Sequence, residues 1–323
     1  MEDFSEALAR CLDEVPAGRV VTCGSIATAL GDLRAARSVA TWILEHPKTP
    51  GAHRVVRADG RPVLSTGLRR LRDEGLRSNG GRVPQNRIVE RLTSVGLLDR
   101  LRDEQRELAS LVIERDGEPP IRRITGVDVA YVGDTLYAAA VSVDANDGRV
   151  LEVRRTQGVV SFPYIPTYLA YRELPGVRAV VEQLSIRPDA LMIDGHGRLH
   201  PAGFGVACHV GVRLDVPTIG VAKHRLTGRP IPGRALEPGT IPLEIHGKIC
   251  GYAWTPPGRG RPIFVSVGNR ISVEESLQIV RRLTRRGYPE PLKLADRVSK
   301  EMKRNEKREK GGENGTAKSA VHE

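Results

Sequence analysis

The run Met192-Ile193-Asp194-Gly195-His196-Gly197-Arg198-Leu199-His200-Pro201 sets an acid at the end of an apolar, strand-like segment and follows it with two glycines. A carboxylate at a strand's end can hold a cation. Glycines let backbone approach a flat group closely, so Gly195 and Gly197 read as a pocket floor, or more simply as a tight turn after a strand. Two more acids lie in comparable settings. Asp128 alternates with apolar residues in Gly126-Val127-Asp128-Val129-Ala130, where an ionised carboxylate is costly without a cationic partner. An edge strand with Asp128 facing water is the alternative. Glu173 follows Tyr171-Arg172 in a helical stretch, either as a solvated residue or as a third ligand. Three acids converging from two strands and a helix would form an all-oxygen site suited to Mg²⁺ or Mn²⁺ rather than zinc. Paired hard cations of this kind activate water for phosphodiester hydrolysis. Lys223, directly after the apolar run Thr218-Ile219-Gly220-Val221-Ala222, is placed to neutralise charge on a scissile phosphate, unless it is simply solvated. In Phe162-Pro163-Tyr164-Ile165-Pro166, two prolines stiffen a loop that is either a packing turn or a wedge between stacked bases.

The elements that must position these residues fall into two blocks. Residues 1 to about 78 carry short helical patterns: Phe4 to Leu12, a turn at Pro16-Ala17-Gly18, then Thr22 ahead of a helix ending at Leu30, which is helix-turn-helix spacing. A third helix is expected from Leu33 to Glu45, opening with Arg34 and Arg37, the one that would enter a groove in a nucleic-acid binder. Ser78-Asn79-Gly80-Gly81-Arg82-Val83-Pro84 reads as a domain boundary. An amphipathic helix from Leu97 to Arg115 leads into three antiparallel strands, Ile124 to Tyr131, Leu136 to Asp144 and Val150 to Val159. Strand and helix then alternate: helices near Tyr168 to Leu174 and Gly176 to Leu184, a strand at Ala190 to Asp194, a helix from Phe204 to Leu214, and a strand at Thr218 to Ala222. Strands at Ile249 to Thr255 and Ile263 to Val267 precede a helix from Val273 to Arg285. Beyond Lys293 the apolar period fades into Lys, Arg, Glu and Gly, which predicts a disordered basic tail.

At 323 residues the chain has room for two globular units. Fifty Lys and Arg against 39 Asp and Glu give a net charge of +11, which favours polyanionic partners such as nucleic acid. Cys11, Cys23, Cys208 and Cys250 are scattered, without the pairing of a thiolate zinc site or a disulfide framework, so a reducing cytosol is expected. No apolar stretch is long enough for a signal peptide or membrane span, so a cytoplasmic location and no membrane partner are expected.

Five blocks in order resemble endonuclease V, the deoxyinosine endonuclease family, over about residues 97 to 292. They are Gly126-Val127-Asp128-Val129-Ala130-Tyr131, Pro163-Tyr164-Ile165-Pro166, Tyr171-Arg172-Glu173, Asp194-Gly195-His196-Gly197 with His200-Pro201, and Val221-Ala222-Lys223. The resemblance implies an RNase H-like fold, with Asp128, Glu173 and Asp194 holding Mg²⁺, for which Mn²⁺ substitutes, and Lys223 near the phosphate. It implies that Tyr164, with Pro163 and Ile165, wedges into the gap left by an extruded hypoxanthine, and that Gly195, Gly197 and His200 line the lesion pocket. It further implies hydrolysis on the 3′ side of the lesion, leaving a 3′-hydroxyl and a 5′-phosphate. One departure stands out: the family has His where this chain has Asn269, a residue associated with the metal site and so a further ligand candidate.

The first block is similar to the DNA-binding part of O6-alkylguanine-DNA alkyltransferases, through Val15-Pro16-Ala17-Gly18-Arg19-Val20-Val21-Thr22, Gly31 with Ala35-Ala36-Arg37-Ser38-Val39, and His53-Arg54-Val55-Val56 before Asp59-Gly60. The family's Pro-Cys-His-Arg core reads Gly51-Ala52-His53-Arg54 here, and a methyl group cannot accept an alkyl group where a thiolate must. That is the pattern of alkyltransferase-like proteins, which bind damaged guanine without repairing it. It implies that Arg37 is the finger entering the base stack, with Ala52, His53 and Arg54 at the lesion.

The resulting expectation is an α/β nuclease, an RNase H-like mixed sheet with flanking helices, preceded by a small, mostly helical winged helix-turn-helix domain. Its bounds are 1–78, a linker 79–96, the nuclease 97–292 and a tail 293–323. Expected partners are DNA carrying inosine or alkylated guanine, and other repair proteins. Two other readings remain open: a non-catalytic lesion recruiter in which Asn269 has weakened the metal site, and an inosine-specific endoribonuclease.

Overall fold

A computed structural model of the chain describes residues 3–116, 120–231 and 238–316, with side chains described to residue 306. It forms two compact units, one from Met1–Glu104 together with Ser161–Tyr168, the other from Gln105–Val160 together with Leu169–Glu323.

The first unit opens with α1 (Phe4–Asp13), capped by Asp3, whose carboxylate accepts from Ser5 N–H, and burying Phe4, Ala7, Leu8, Cys11 and Leu12 along one stripe. Such a cap stabilises by about 1 kcal/mol. Strand β1 (Val20–Thr22) runs directly into α2 (Cys23–Leu30), with Thr22 as N-cap to Ser25. A 3₁₀ turn at Leu33–Ala35 then leads into α3 (Ala36–Glu45), which buries Ser38, Val39, Trp42 and Ile43 and leaves Arg37 exposed. Strand β2 (Val55–Val56), α4 (Gly67–Asp73) and β3 (Ile88–Val89) complete a three-stranded parallel sheet in the order β2-β1-β3. The three expected helices thus stand, with the first turn of the third being a 3₁₀ turn. The boundary moves, because residues 79–96 are not a free linker: Ile88 pairs with Val20 and Val89 with Val21, and the unit runs on into α5 (Leu97–Ala109).

The second unit is built on a nine-stranded mixed sheet. It starts with an antiparallel meander of β4 (Arg123–Val132), β5 (Thr135–Asp144) and β6 (Val150–Val159). Then follow α6 (Leu169–Val181), β7 (Ala190–Asp194), α7 (Val206–Leu214), β8 (Thr218–Ala222), β9 (Arg229–Pro230), β10 (Thr240–Ile245), β11 (Lys248–Trp254), β12 (Ile263–Asn269), α8 (Val273–Arg282) and α9 (Glu290–Thr316). The strand order is β6-β5-β4-β7-β8-β12-β11-β10-β9, with β4, β7 and β8 parallel at the centre. Alternation along β7 feeds both faces. Leu191 and Ile193 join the cluster under α6 and α7, with Val177, Val180 and Val206, while Ala190 and Met192 join the opposite one, with Leu277, Leu292 and Ala295.

Three expectations change. The helices expected on either side of Pro175 are one helix, because Pro175 sits on an exposed position and α6 continues past the lost N–H bond. Strand β10 was not expected, since its central Pro242 argues against a strand. The disordered tail from residue 293 is corrected for residues 293–316, which lie within α9; residues 317–323 fall outside the described part. The reason is a close approach: a Cβ on Gly126 would collide with the Pro291 backbone, so glycine in β4 lets the start of α9 lie directly on the sheet. Pro291, Leu292, Ala295 and Ser299 then bury one helical face.

Candidate active site

Register brings the first two acids together. Parallel β4 and β7 pair Val127 with Ile193, so Asp128 and Asp194, each the next residue, stand level on adjacent strands. Asp194 also pairs with Val221 of β8, and Lys223 follows that strand's last residue, Ala222. Lys223 Nζ donates to Asp194 Oδ2 at 2.6 Å and lies 4.9 Å above the Tyr288 ring. The Tyr288 hydroxyl shares its proton between Asp194 Oδ1 at 2.8 Å and the Val221 carbonyl at 2.9 Å. Burial, then the charge of Asp194, raises the Tyr288 hydroxyl well above its ordinary value, so it stays a donor.

Glu173 enters from α6. Burial first, and then the charges of Asp128 and Asp194, push its carboxyl up to about 8. For Asp128, burial outweighs the opposing bond from Ser299, and the charges of Asp194 and Asp296 add to it, bringing the carboxyl up to about 6. The three acids picked out from the sequence therefore converge closely enough for their charges to raise the Asp128 and Glu173 carboxyls.

Two members of the site were missed. Asp296 and Ser299, one turn apart on α9, reach the same cluster: Ser299 Oγ stands 2.5 Å from Asp128 Oδ2, and the Asp296 charge bears on Asp128. Lys300 pairs with Asp296 at 2.7 Å. The available signal was the spacing of Leu292, Ala295 and Ser299 at helical intervals inside the charged run.

Four carboxylates thus face two directly bonded lysines, and all-oxygen donors with excess negative charge suit a hard divalent cation. Among the described residues, no three His, Cys, Asp or Glu side chains stand at chelating separation as placed. Asp194 instead engages Lys223 and Tyr288, and Asp128 engages Ser299, so side-chain rotation would have to bring the oxygens onto a shared ion. Tyr131 adds a buried hydroxyl within range of the Glu173 and Asp128 charges, under the Arg172 guanidinium at 4.2 Å from its ring.

Asn269 is not part of this cluster. It ends β12, opposite Thr218 at the start of β8, three residues back from the level of Asp194, or roughly 10 Å along the strand and two strands across. Its carboxamide is fully engaged elsewhere: Oδ1 accepts from Ile113 N–H at 3.0 Å, and Nδ2 donates to the Gly211 carbonyl at 3.1 Å. The ligand candidacy of Asn269 is therefore corrected to that of a buried brace.

The glycines are required by packing. A Cβ on Gly195 would meet Val206 Cγ1, and one on Gly197 the Val267 carbonyl. Both positions thus bring α7 and β12 close beneath the strand end, and only their opposite faces remain for a ligand. His200 is buried, and its Nδ1 accepts from Ala202 N–H at 3.2 Å, which makes it part of the turn that carries this loop.

In the first unit, Tyr164 is 63% exposed, while its neighbour Ile165 is fully buried, so Ile165 anchors the loop and does not face a ligand. His53 and Arg54 also turn inward. Both bond Glu74, at 2.7 Å from His53 Nε2 and 2.7 Å from Arg54 Nη2, and Arg54 Nη1 donates to the Val15 carbonyl. Burial would raise the Glu74 carboxyl, but Arg54, the Gly18 N–H and His53 outweigh it and hold the group at about 2. Ala52 is fully buried beside this clamp. Of Arg37, Ala52, His53 and Arg54, Arg37 alone is exposed.

Comparison with known proteins finds a family match in each unit. Residues 106–297 match the family model for endonuclease V, and residues 3–80 match that for the DNA-binding domain of 6-O-methylguanine DNA methyltransferase. Endonuclease V of Thermofilum pendens is 43% identical over 210 residues, covering 64% of this chain and 89% of the relative. The crystal structure of endonuclease V from Streptomyces avermitilis has a TM-score of 0.60 and 36% identity, covering 65% of this chain and 94% of that one. The fold is also that of Ciona intestinalis endonuclease V, solved with a 24mer DNA containing an inosine followed by a ribo-adenosine (TM-score 0.59, 24% identity, 64% and 98% covered).

Proposed function

The chain belongs to the endonuclease V family, and from that premise we propose that it cleaves DNA on the 3′ side of deoxyinosine, in a Mg²⁺-dependent reaction for which Mn²⁺ substitutes. Family membership makes it a metal-dependent nuclease; the lesion, the metal and the residue roles are our reading. The observation that carries it is the convergence of Asp128 in the middle of β4, Glu173 on α6 and Asp194 at the end of β7 with Lys223 just past β8.

When bound, a divalent cation supplies a water nucleophile at neutral pH and offsets charge on the phosphoryl oxygens. Asp128, Glu173 and Asp194, with Asp296, are the residues that would hold it. Their mutual repulsion, expressed in the raised Asp128 and Glu173 carboxyls, is what a cation would relieve. Tyr288 fixes one Asp194 oxygen, and Lys223, engaged with the other, can turn to a phosphate oxygen and stabilise developing charge there. Tyr164, exposed between Pro163 and the buried Ile165, acts as the wedge that fills the space of the extruded base. The backbone of Gly195 and Gly197 offers a flat surface to that base.

The first unit binds DNA and lacks a nucleophile at Ala52. We read it as a non-catalytic grip for O6-alkylguanine, with Arg37 entering the stack. The recruiter reading loses its basis, since Asn269 stands away from the acids.

The test is nicking of labelled duplexes carrying inosine, uracil, O6-methylguanine or no lesion, beside inosine-containing RNA, with Mg²⁺, Mn²⁺ or chelator. Metal-dependent nicking of inosine DNA, lost in Asp128→Ala and Asp194→Ala with binding retained, is expected. Undiminished cleavage in excess chelator refutes the metal reading, and preference for the RNA replaces the DNA substrate.

A further inference from the structure

The loop that carries Tyr164 folds as part of the first unit: residues 161–168 cluster with residues 1–104. Three anchors hold it over seven residues. At its start, the Phe162 ring meets Phe4 of α1 edge-on, with centroids 5.9 Å apart. At its centre, Ser38 Oγ donates to the Tyr164 carbonyl at 2.5 Å. At its end, the fully buried Tyr168 hydroxyl lies 3.2 Å from Asp32 Oδ2 and 3.2 Å from the Leu98 carbonyl, and Arg102 donates to it at 2.7 Å. Arg102 also bonds Asp32 at 2.8 Å, which closes a three-residue cluster.

A helical serine commonly turns its hydroxyl back to its own helix carbonyls. Ser38 instead reaches a residue 126 positions away, although it is 6% exposed and on the packed face of α3. Thr167 adds a second sign of constraint. Its φ of +73° lies in the left-handed region, which β-branched residues avoid unless flanking contacts over-determine the backbone. With the backbone fixed from both sides, the Tyr164 side chain is what projects.

We propose that the alkyltransferase-like unit positions the base-stack probe of the nuclease, with Ser38 as the positioning residue for Tyr164 and the Phe4–Phe162 and Asp32–Arg102–Tyr168 contacts fixing the loop's ends. This rests on the reading of Tyr164 as the wedge. A wedge works against restacking only if its backbone does not yield, and a loop ordered beforehand avoids losing conformational freedom on each encounter. Ser38 directly follows Arg37 on α3, so the two side chains offered to the base stack, Arg37 and Tyr164, issue from one hydrogen-bonded piece of structure. Lesion discrimination by the nuclease therefore depends on a residue outside the nuclease unit.

The experiment uses the full chain with Ser38→Ala, Phe4→Leu and Tyr164→Ala. It reads two quantities: backbone hydrogen exchange over residues 161–168, and the ratio of kcat/KM on inosine-containing duplex to that on undamaged duplex. Alanine is the strongest helix former and close in size to serine, so Ser38→Ala keeps α3 folded. It is expected to speed exchange in the loop and to lower the ratio about three- to tenfold, the worth of one hydrogen bond. Phe4→Leu should act in the same direction, and Tyr164→Ala should lower the ratio at least as far. If Tyr164→Ala lowers the ratio while Ser38→Ala leaves it unchanged, the positioning role is overturned and the wedge stands, whatever the exchange data show. If Tyr164→Ala itself leaves the ratio unchanged, the wedge reading falls and takes the positioning role with it.

Discussion

Replacing Asn269 by histidine, the residue that the resemblance leads one to expect there, is expected to weaken the fold and to leave metal use as it is. The Asn269 carboxamide joins Ile113 N–H to the Gly211 carbonyl, at 3.0 and 3.1 Å, in a position 3% exposed. Each such bond contributes about 1 kcal/mol net, and a buried donor left unsatisfied costs about 1–3 kcal/mol. The surroundings cannot widen freely: a Cβ added at Gly211 would lie 2.5 Å from Asn269 Cβ, so the larger imidazole also brings overpacking of about 1–3 kcal/mol. The unsatisfied group and the overpacking together give a loss of about 2–6 kcal/mol, equivalent to a Tm lower by roughly 4–24 °C for a unit of about 200 residues. The assay is urea denaturation followed by tryptophan fluorescence, beside Mg²⁺ and Mn²⁺ titrations of nicking below the unfolding range. Trp42 and Trp254 lie one in each unit, so single-tryptophan variants separate the two transitions. An unchanged denaturation midpoint together with a shifted metal requirement would refute the brace and return Asn269 to the metal site.

Asp296→Asn should lower cleavage by roughly 10- to 100-fold or more while shifting Tm little, since Asp296 is partly exposed and bonded to the exposed Lys300; nicking kinetics with a parallel melt distinguish this from a purely structural role. Glu74 predicts an acid-labile first unit. Its carboxyl sits at about 2 against an ordinary 4.5, so the stability it confers is complete above about pH 4.5 and disappears as pH falls toward 2. Wild type should therefore lose stability over that window, and Glu74→Gln should show a weaker acid dependence from a lower plateau, as read by denaturant midpoints between pH 2 and 6. The full chain incubated with O6-methylguanine duplex should gain no mass by mass spectrometry. Arg37→Ala should lower its preference for that duplex over an intact one more than its overall DNA affinity, as titrations with both duplexes would show.

The central strands were legible because β7 and β8 are short apolar runs, the first ending in Asp194 and the second followed by Lys223, so both could be assigned to strand ends from the pattern alone. Asp128 was legible because a charge stands among the apolar residues of a strand-like run. Asp296 and Ser299 escaped for the opposite reason: on α9 their apolar neighbours are few and sit among lysines and arginines, so a helix held by one narrow stripe resembles a solvated tail. The fourth carboxylate went with it. Asn269 misled because its candidacy came from the resemblance alone; the antiparallel pairing of β12 with β8 shows which end of the sheet it occupies. For His53 and Arg54 the residue types suggested contact with a ligand, and only the placement of Glu74, twenty residues on, shows them facing inward.

The bond between Ser299 and Asp128 joins residues 171 positions apart, and it bears on the order in which the protein matures. Domains generally fold as units while the chain is still being made, earlier residues first. The first unit is complete once residue 168 has emerged, whereas the acid cluster needs Asp296 and Ser299, more than a hundred residues later. On the proposed reading of the acid cluster, a chain stopped between those two points, by premature termination or proteolysis, is expected to hold DNA without the means to break a strand.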